Sequence, residues 1–297
     1  MTIKTFLQRV QAGEILVSDG ATGTNLLARG LPRGTVAEAW LFEKPDAILQ
    51  LHKDFLAAGA DILLTNTFGA SSLRLEAVDL AQSVKMVNQR AVLLARQATE
   101  IVERQVYVGG SIGPCGQLMK PYGPLNEDQV FQSFLEQARE LVVAEVDFLI
   151  LETHFDLKEA TLAVKAVREI SADIPLVCSF SYDRGVHTMM GVTAAKMVKA
   201  FEGLRVDVMG INCGHSLDHN LQALKELRAA TDLPIWFKPN AGLPKVDPQG
   251  NTYYDLSPQE MGARVSEWLQ AGAAIVGGCC GTTPEHLTEI AKAVQSK

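Results

Sequence analysis

The chain has 297 residues, 47% of them hydrophobic, with 27 basic and 34 acidic side chains and a formal net charge of −7. That length and composition allow a large buried core, in one α/β barrel or in two smaller domains. The acidic balance, without a Lys/Arg cluster, argues against a nucleic-acid partner, and no apolar run reaches the ~18 residues of a membrane-spanning helix.

In chain order, Met1–Val10 lacks the continuous apolar stretch of a secretion signal. The five cysteines are an odd number and do not make a disulfide framework. The expectation is a reduced, cytoplasmic protein. Short runs rich in Val, Ile and Leu then predict strands at Ile15–Ser18, Asp61–Asn66, Val106–Ser111, Phe148–Glu152, Leu176–Ser181, Val208–Asn212, Ile235–Lys238 and Ala274–Gly277. Amphipathic segments near 46–58, 81–104, 127–145, 157–170, 193–203, 218–230, 257–271 and 284–295 predict the intervening helices. Ser257-Pro258 and Thr283-Pro284 give the last two a proline in the first turn. Strict alternation of eight strands and eight helices predicts a single-domain (β/α)8 TIM barrel over residues 1–297. The competing arrangement is an open doubly wound sheet. Neither a dinucleotide-binding Gly-x-Gly-x-x-Gly nor a phosphate loop is present.

Barrel chemistry sits at the carboxyl ends of the strands, and the polar residues of this sequence cluster there. Strand 1 leads into Asp19-Gly20-Ala21-Thr22, strand 2 into Thr65-Asn66-Thr67-Phe68 and strand 4 into Glu152. Strand 6 leads into Asn212-Cys213, strand 7 into Lys238-Pro239-Asn240, and strand 8 into Cys279-Cys280. Adjacent strand residues point to opposite faces, so Cys279 and Cys280 reach one point only where the chain bends, and Gly277, Gly278 and Gly281 permit that bend. Cys213 is two strands away and meets them across the mouth, with Asn240 between. Three thiolates on one ion suit Zn²⁺, and a three-ligand site keeps the fourth position open for chemistry.

Cys115 and Cys178 read as small core residues. His52 and His286 read as helical and exposed, and His215 and His219 as weaker metal candidates. Lys238 reads as the partner of a carboxylate, with a Schiff-base lysine as the competing role. The Asp19–Thr22 turn offers backbone N–H groups to a carboxylate, and Glu152 offers an acceptor to an ammonium group. Together these describe a site for an amino acid with a thiol side chain.

The same segments carry a resemblance. Asp19-Gly-Ala-Thr-Gly-Thr24, Asp61–Phe68, Glu152–Glu159, Gly210–Cys213, Lys238–Pro244 and Val276–His286 resemble the homocysteine S-methyltransferase family over essentially the whole chain. Within it, the chain is most similar to the homocysteine-binding barrel of the cobalamin-dependent methionine synthases. The resemblance implies Zn²⁺ on Cys213, Cys279 and Cys280, with homocysteine sulfur in the fourth place. It also implies that the Asp19–Thr22 turn and Glu152 hold the amino acid end, beside Asn66. Without substrate, Asn240 is the expected fourth ligand. Methionine synthases continue into a corrinoid-carrying module, and no Asp-x-His-x-x-Gly segment of that kind occurs in these 297 residues. The expected donor is therefore a methyl-corrinoid on a separate protein, with Ala241–Asp255 in its docking surface. The alternatives are S-methylmethionine or betaine as a small-molecule donor, or a corrinoid-linked methyltransferase acting on a different small substrate.

Overall fold

Eight apolar runs pair side by side as parallel strands in a computed structural model that describes residues 4–78, 80, 83–248 and 252–296. In chain order the strands are β1 (Leu16–Val17), β2 (Ile62–Leu64), β3 (Tyr107–Ile112), β4 (Phe148–His154), β5 (Leu176–Phe180), β6 (Val208–Cys213) and β7 (Ile235–Pro239). An antiparallel hairpin follows, β8 (Pro244–Val246) with β9 (Thr252–Tyr254), and then β10 (Ala273–Val276). The parallel sheet runs β1-β10-β7-β6-β5-β4-β3-β2. Its ends meet: Ser18 bridges Ile62, the Asp61 N–H donates to the Val17 carbonyl at 2.7 Å, and the Asp19 N–H donates to the Ile62 carbonyl at 3.0 Å. That closure makes the expected (β/α)8 barrel and excludes the open sheet.

Alternate strand residues face inward. Leu16, Ile62, Tyr107, Phe148, Ile150 and Trp236 fill the barrel, while their neighbours pack against the surrounding helices. All eight expected helices form, two of them with the expected ends (Leu157–Ile170 and Pro284–Gln295) and the others with ends shifted by at most five residues. Positions 81 and 82 of the expected helix 81–104, and 249–251 of the expected loop Ala241–Asp255, lie outside the described residues. The rest of that loop folds as the β8–β9 hairpin.

Several short helices escape a periodicity reading, among them Phe6–Gln11, Thr22–Ala28 and Ser72–Glu76. Phe6–Gln11 closes the barrel floor. A capping box between Thr5 and Gln8 starts it, and the Phe6 ring stacks on Phe148 with centroids 4.3 Å apart. The same end carries a repeated clamp. Asp61, Asp147 and Asp207 precede β2, β4 and β6, and each accepts a backbone N–H from the preceding strand, of Val17, Val108 and Leu176, at 2.6–2.9 Å. Arg104, Arg96 and Arg168 pair with these carboxylates.

His52 and His286 are helical as expected, but both are buried, at 2% and 7% exposure, which corrects the expectation that they face solvent. Position 52 falls on the stripe Ile48, Leu51, His52, Phe55, Leu56, the helix-period face turned to the core. His286 closes the Thr283 capping box and reaches the Leu256 carbonyl at 2.8 Å. Cys115 and Cys178 are core residues, as read.

Burial lowers His52 to a pKa of about 4 and His154 to about 3. Among the described residues, neither ring nitrogen of His52 has a hydrogen-bond partner. An unfolded chain protonates both near the ordinary value of about 6.5, before the folded chain does. The contribution of these two histidines to stability is therefore full above about pH 6.5 and falls as pH drops toward 4, by about 1.4 kcal/mol per pH unit for each. Urea unfolding at pH 7 and pH 5 measures this slope. His52→Leu and His154→Leu are each expected to flatten it, and unchanged slopes in both variants would refute the assignment.

Candidate functional site

Cys213 closes β6, Cys279 and Cys280 follow β10, and β7 lies between them in the sheet. The Cys213 Sγ stands 2.9 Å from Cys279 Sγ and 3.8 Å from Cys280 Sγ, and all three sulfurs lie within 4.8 Å of one another. Among the described residues this is the one group of three His, Cys, Asp or Glu side chains placed to hold an ion. Tetrahedral Zn²⁺ with Zn–S of about 2.3 Å sets its sulfurs about 3.8 Å apart, so Cys213 and Cys280 already have that spacing and Cys279 needs a small outward shift. Asn240 donates its Nδ2 to the Gly214 carbonyl at 3.0 Å, while its Oδ1 is buried without a partner among the described residues. The donor set fits zinc.

The backbone at the cluster is unusual for local reasons. Cys213 has φ +57°, a left-handed conformation costly for a non-glycine residue. It is held there by Asn220 Nδ2, which donates to the Cys213 carbonyl, and by Ser181 Oγ, which accepts the Gly214 N–H. Gly281 is also left-handed at φ +80°, and a Cβ there would come within 2.2 Å of the Tyr254 ring. Tyr254 is thereby folded down beside Cys280 rather than exposed. Hydrogen bonds from Cys213 and Cys279, and then from Tyr254, pull the Cys280 thiol down to about 3, whereas its bonds with the other two thiols push Cys213 well up.

Two cavities meet at these thiols. The deeper, about 480 Å³, is lined by the 20–24 turn, Asn66, Ser111, Glu152, Lys238 and all three cysteines. The outer, about 900 Å³, is lined by Phe155, Glu159, Asp183, His215, Asn240, Leu243 and Tyr254. Phe68, Arg74, Thr153, Cys213 and Cys280 line both.

The other expected residues are found at the deeper cavity in sharper roles. Asp19 is buried, and its Oδ2 accepts the Leu64 N–H while its Oδ1 accepts the Lys238 ammonium, both at 2.7 Å. Lys238 is the carboxylate's partner, as read. Burial alone would lower its pKa, yet the charges of Asp19 and Glu152 outweigh burial and the net direction is up. The Ala21 N–H donates to Thr282 Oγ1 at 3.1 Å. Asn66 Nδ2 donates to the Ala37 carbonyl at 2.9 Å. Glu152 faces inward after Phe148 and Ile150 and accepts a hydrogen bond from Ser111 Oγ. Burial raises its pKa to about 7, with Lys238 lowering it and Cys279 raising it further. His215 and His219 stack on each other 5.9 Å apart and lie outside the three-thiol group.

Sequence reasoning missed the clamp around Asn212. Its Oδ1 accepts the Thr153 N–H at 2.9 Å and Ser179 Oγ at 2.6 Å, and its Nδ2 donates to Thr153 Oγ1 at 2.7 Å. Thr153 is thereby fixed at φ +64°. Arg74, Glu38 and Tyr254 were missed as cavity walls. Glu38 is buried and accepts the Gly69 N–H at 2.6 Å. The only sequence signal for Asn212 was its place beside Cys213.

The sequence model of the homocysteine S-methyltransferase family matches residues 16–294. The methionine synthases of Mycobacterium leprae and Mycobacterium tuberculosis are each 30% identical over 304 residues, covering 98% of this chain and 25% of their own. The chain thus spans about a quarter of the length of these curated relatives. The metallated form of the homocysteine methyltransferase MmuM from Escherichia coli superposes with a TM-score of 0.81 at 26% identity, covering 94% of this chain and 96% of that one. On the extent of the family match and the close structural likeness, the chain belongs to the homocysteine S-methyltransferase family.

Proposed function

We propose that this barrel transfers a methyl group to the sulfur of homocysteine, giving methionine, with Zn²⁺ held by Cys213, Cys279 and Cys280. The observation that carries the reading is the position of the three thiols: all line a cavity of amino-acid size that also presents Glu152 and Lys238, and Cys213 and Cys280 stand on the wall it shares with a larger chamber open to a donor. When bound, zinc keeps the substrate thiol ionised at neutral pH, where a free thiol of pKa about 8.5 is mostly protonated. The protein's own residues do the rest. The Gly20 and Thr22 N–H groups of the Asp19–Thr22 turn hold the substrate carboxylate, since those of Asp19 and Ala21 donate to Ile62 and Thr282, Glu152 accepts its ammonium, and Asn66 lines the wall beside them. Asn240 takes the fourth ligand position before substrate arrives.

These contacts aim the sulfur at the outer chamber. There a sulfur–methyl bond forms as the donor–methyl bond breaks, its electron pair staying with the donor. The product thioether is neutral and a poor zinc ligand, which favours release. A reducing cytoplasm suits three unpaired ligand thiols.

For the donor, the reading is a methyl-corrinoid carried on a separate protein. The likeness to methionine synthases supports it. So does the set of exposed apolar side chains on the loops after β3, β5 and β7, namely Tyr122, Met189, Met190, Val246 and Tyr253. An assay of methyl transfer to homocysteine from several donors, with and without a zinc chelator, tests it. Methylcobalamin is expected to serve slowly as a surrogate, S-methylmethionine and betaine to give little turnover, and chelation to stop the reaction. Rapid transfer from S-methylmethionine or betaine with none from any methyl-corrinoid would overturn the donor assignment.

A further inference from the structure

Lys238 has no part in the reading above, although it lines the same cavity as the three thiols. It lies two positions after Trp236, which faces the barrel interior, and its ammonium sits 5.7 Å from that ring's centroid. The ammonium is fixed in place. Asp19 Oδ1 accepts from it at 2.7 Å, Asp19 Oδ2 is held by the Leu64 N–H, and the Asp19 carbonyl accepts the Gly278 N–H at 3.3 Å. Cys279 is anchored alongside, because its N–H donates to the carbonyl of Pro239, the residue after Lys238, at 2.8 Å. The charges of Lys238 and Cys279 act on each other.

A fully buried ion pair is expensive to desolvate, and well-packed apolar residues often replace one without loss of stability. The strand ends that Lys238 and Asp19 join are already tied by the barrel's own hydrogen bonds. A different requirement accounts for the cation. Three thiolates on a dication carry a net charge of −1, and a substrate thiolate makes it −2, in a cavity that Glu152 also lines, with Asp19 buried behind Lys238. Among the described residues lining this cavity, the cations are Lys238 and Arg74, and Arg74 acts on the carboxylates of Glu38 and Glu159.

We propose that Lys238 is a positioning residue for the thiol substrate, its fixed ammonium offsetting the negative charge that gathers when the substrate thiolate joins the three cysteine sulfurs, with Asp19 holding that ammonium in register. The inference rests on the proposed function. A cation here favours the bound thiolate over the transition state, in which charge has begun to leave sulfur, and over the product, whose sulfur is neutral. Lys238 therefore acts on substrate capture and not on the methyl-transfer step.

The test uses zinc-loaded protein and two variants. Lys238→Met removes the cation. Lys238→Gln with Asp19→Asn removes both charges and keeps a hydrogen-bonded amide pair, so the turn stays braced. Calorimetry is run with homocysteine and with methionine, and kcat and KM are measured with a working donor. Homocysteine affinity is expected to fall about tenfold or more in Lys238→Met and by less in the double variant, which removes an anion together with the cation, methionine affinity to change less than about threefold, and kcat at saturating homocysteine not to fall. Equal losses for both ligands, or a lower kcat with unchanged homocysteine affinity, would reduce Lys238 to a brace and overturn the inference. The two readings fail separately. Wild-type protein that does not bind homocysteine defeats the functional reading and this one with it. Wild-type binding combined with variants that lose both ligands alike defeats only the role of Lys238.

Discussion

Alanine at Cys213, Cys279 or Cys280 is expected to abolish methyl transfer and to strip most of the metal, while the barrel stays folded. Each replacement leaves two thiolates where zinc needs three plus an open position. The effect on activity is complete because the substrate thiol then has no ion to ionise it. The effect on folding is small because none of the three sulfurs belongs to the apolar core, which lies inside the barrel and between sheet and helices. Elemental analysis after gel filtration gives the metal content, and a thermal melt reports the fold. Full zinc occupancy in the triple variant would show that the ion sits elsewhere.

Glu152→Gln is expected to weaken homocysteine binding by about 1.5–3 kcal/mol, the usual worth of a hydrogen bond to a charged group. The residue is placed by strand alternation, third in the inward series Phe148, Ile150, Glu152. Its carboxyl is half-buried on the cavity wall, held by Ser111 Oγ, and raised to about 7, so its ionised form is poorly solvated and gains most from an arriving ammonium. Glutamine preserves the shape and removes the charge. Calorimetry on the zinc-loaded variant reads the change, with zinc content unaltered. Unchanged homocysteine affinity would remove Glu152 from the amino-acid site.

Much of this was legible in the sequence, for identifiable reasons. The barrel followed from apolar runs of strand length alternating with helix-period segments. The meeting of Cys213 with Cys279 and Cys280 followed from barrel order, which sets their strands on either side of β7. What stayed hidden depends on side-chain direction. The ion pair of Lys238 with Asp19 joins residues 219 positions apart. The left-handed conformation of Thr153 exists because the Asn212 amide reaches back to it, and no propensity for threonine suggests it. Tyr253 and Tyr254 lie together in the expected docking loop Ala241–Asp255, but hairpin pairing turns Tyr254 inward over Gly281 and leaves Tyr253 outside. His52 was legible and misread, since its own helix stripe marks it as buried.

The central claim is that the three thiols bind zinc and leave one position for the substrate sulfur. Zinc K-edge X-ray absorption on the zinc-loaded protein, before and after addition of homocysteine, tests it most directly. Three sulfurs and one lighter ligand are expected without substrate, and four sulfurs with it. A coordination shell that homocysteine leaves unchanged would contradict the account and make the ion purely structural.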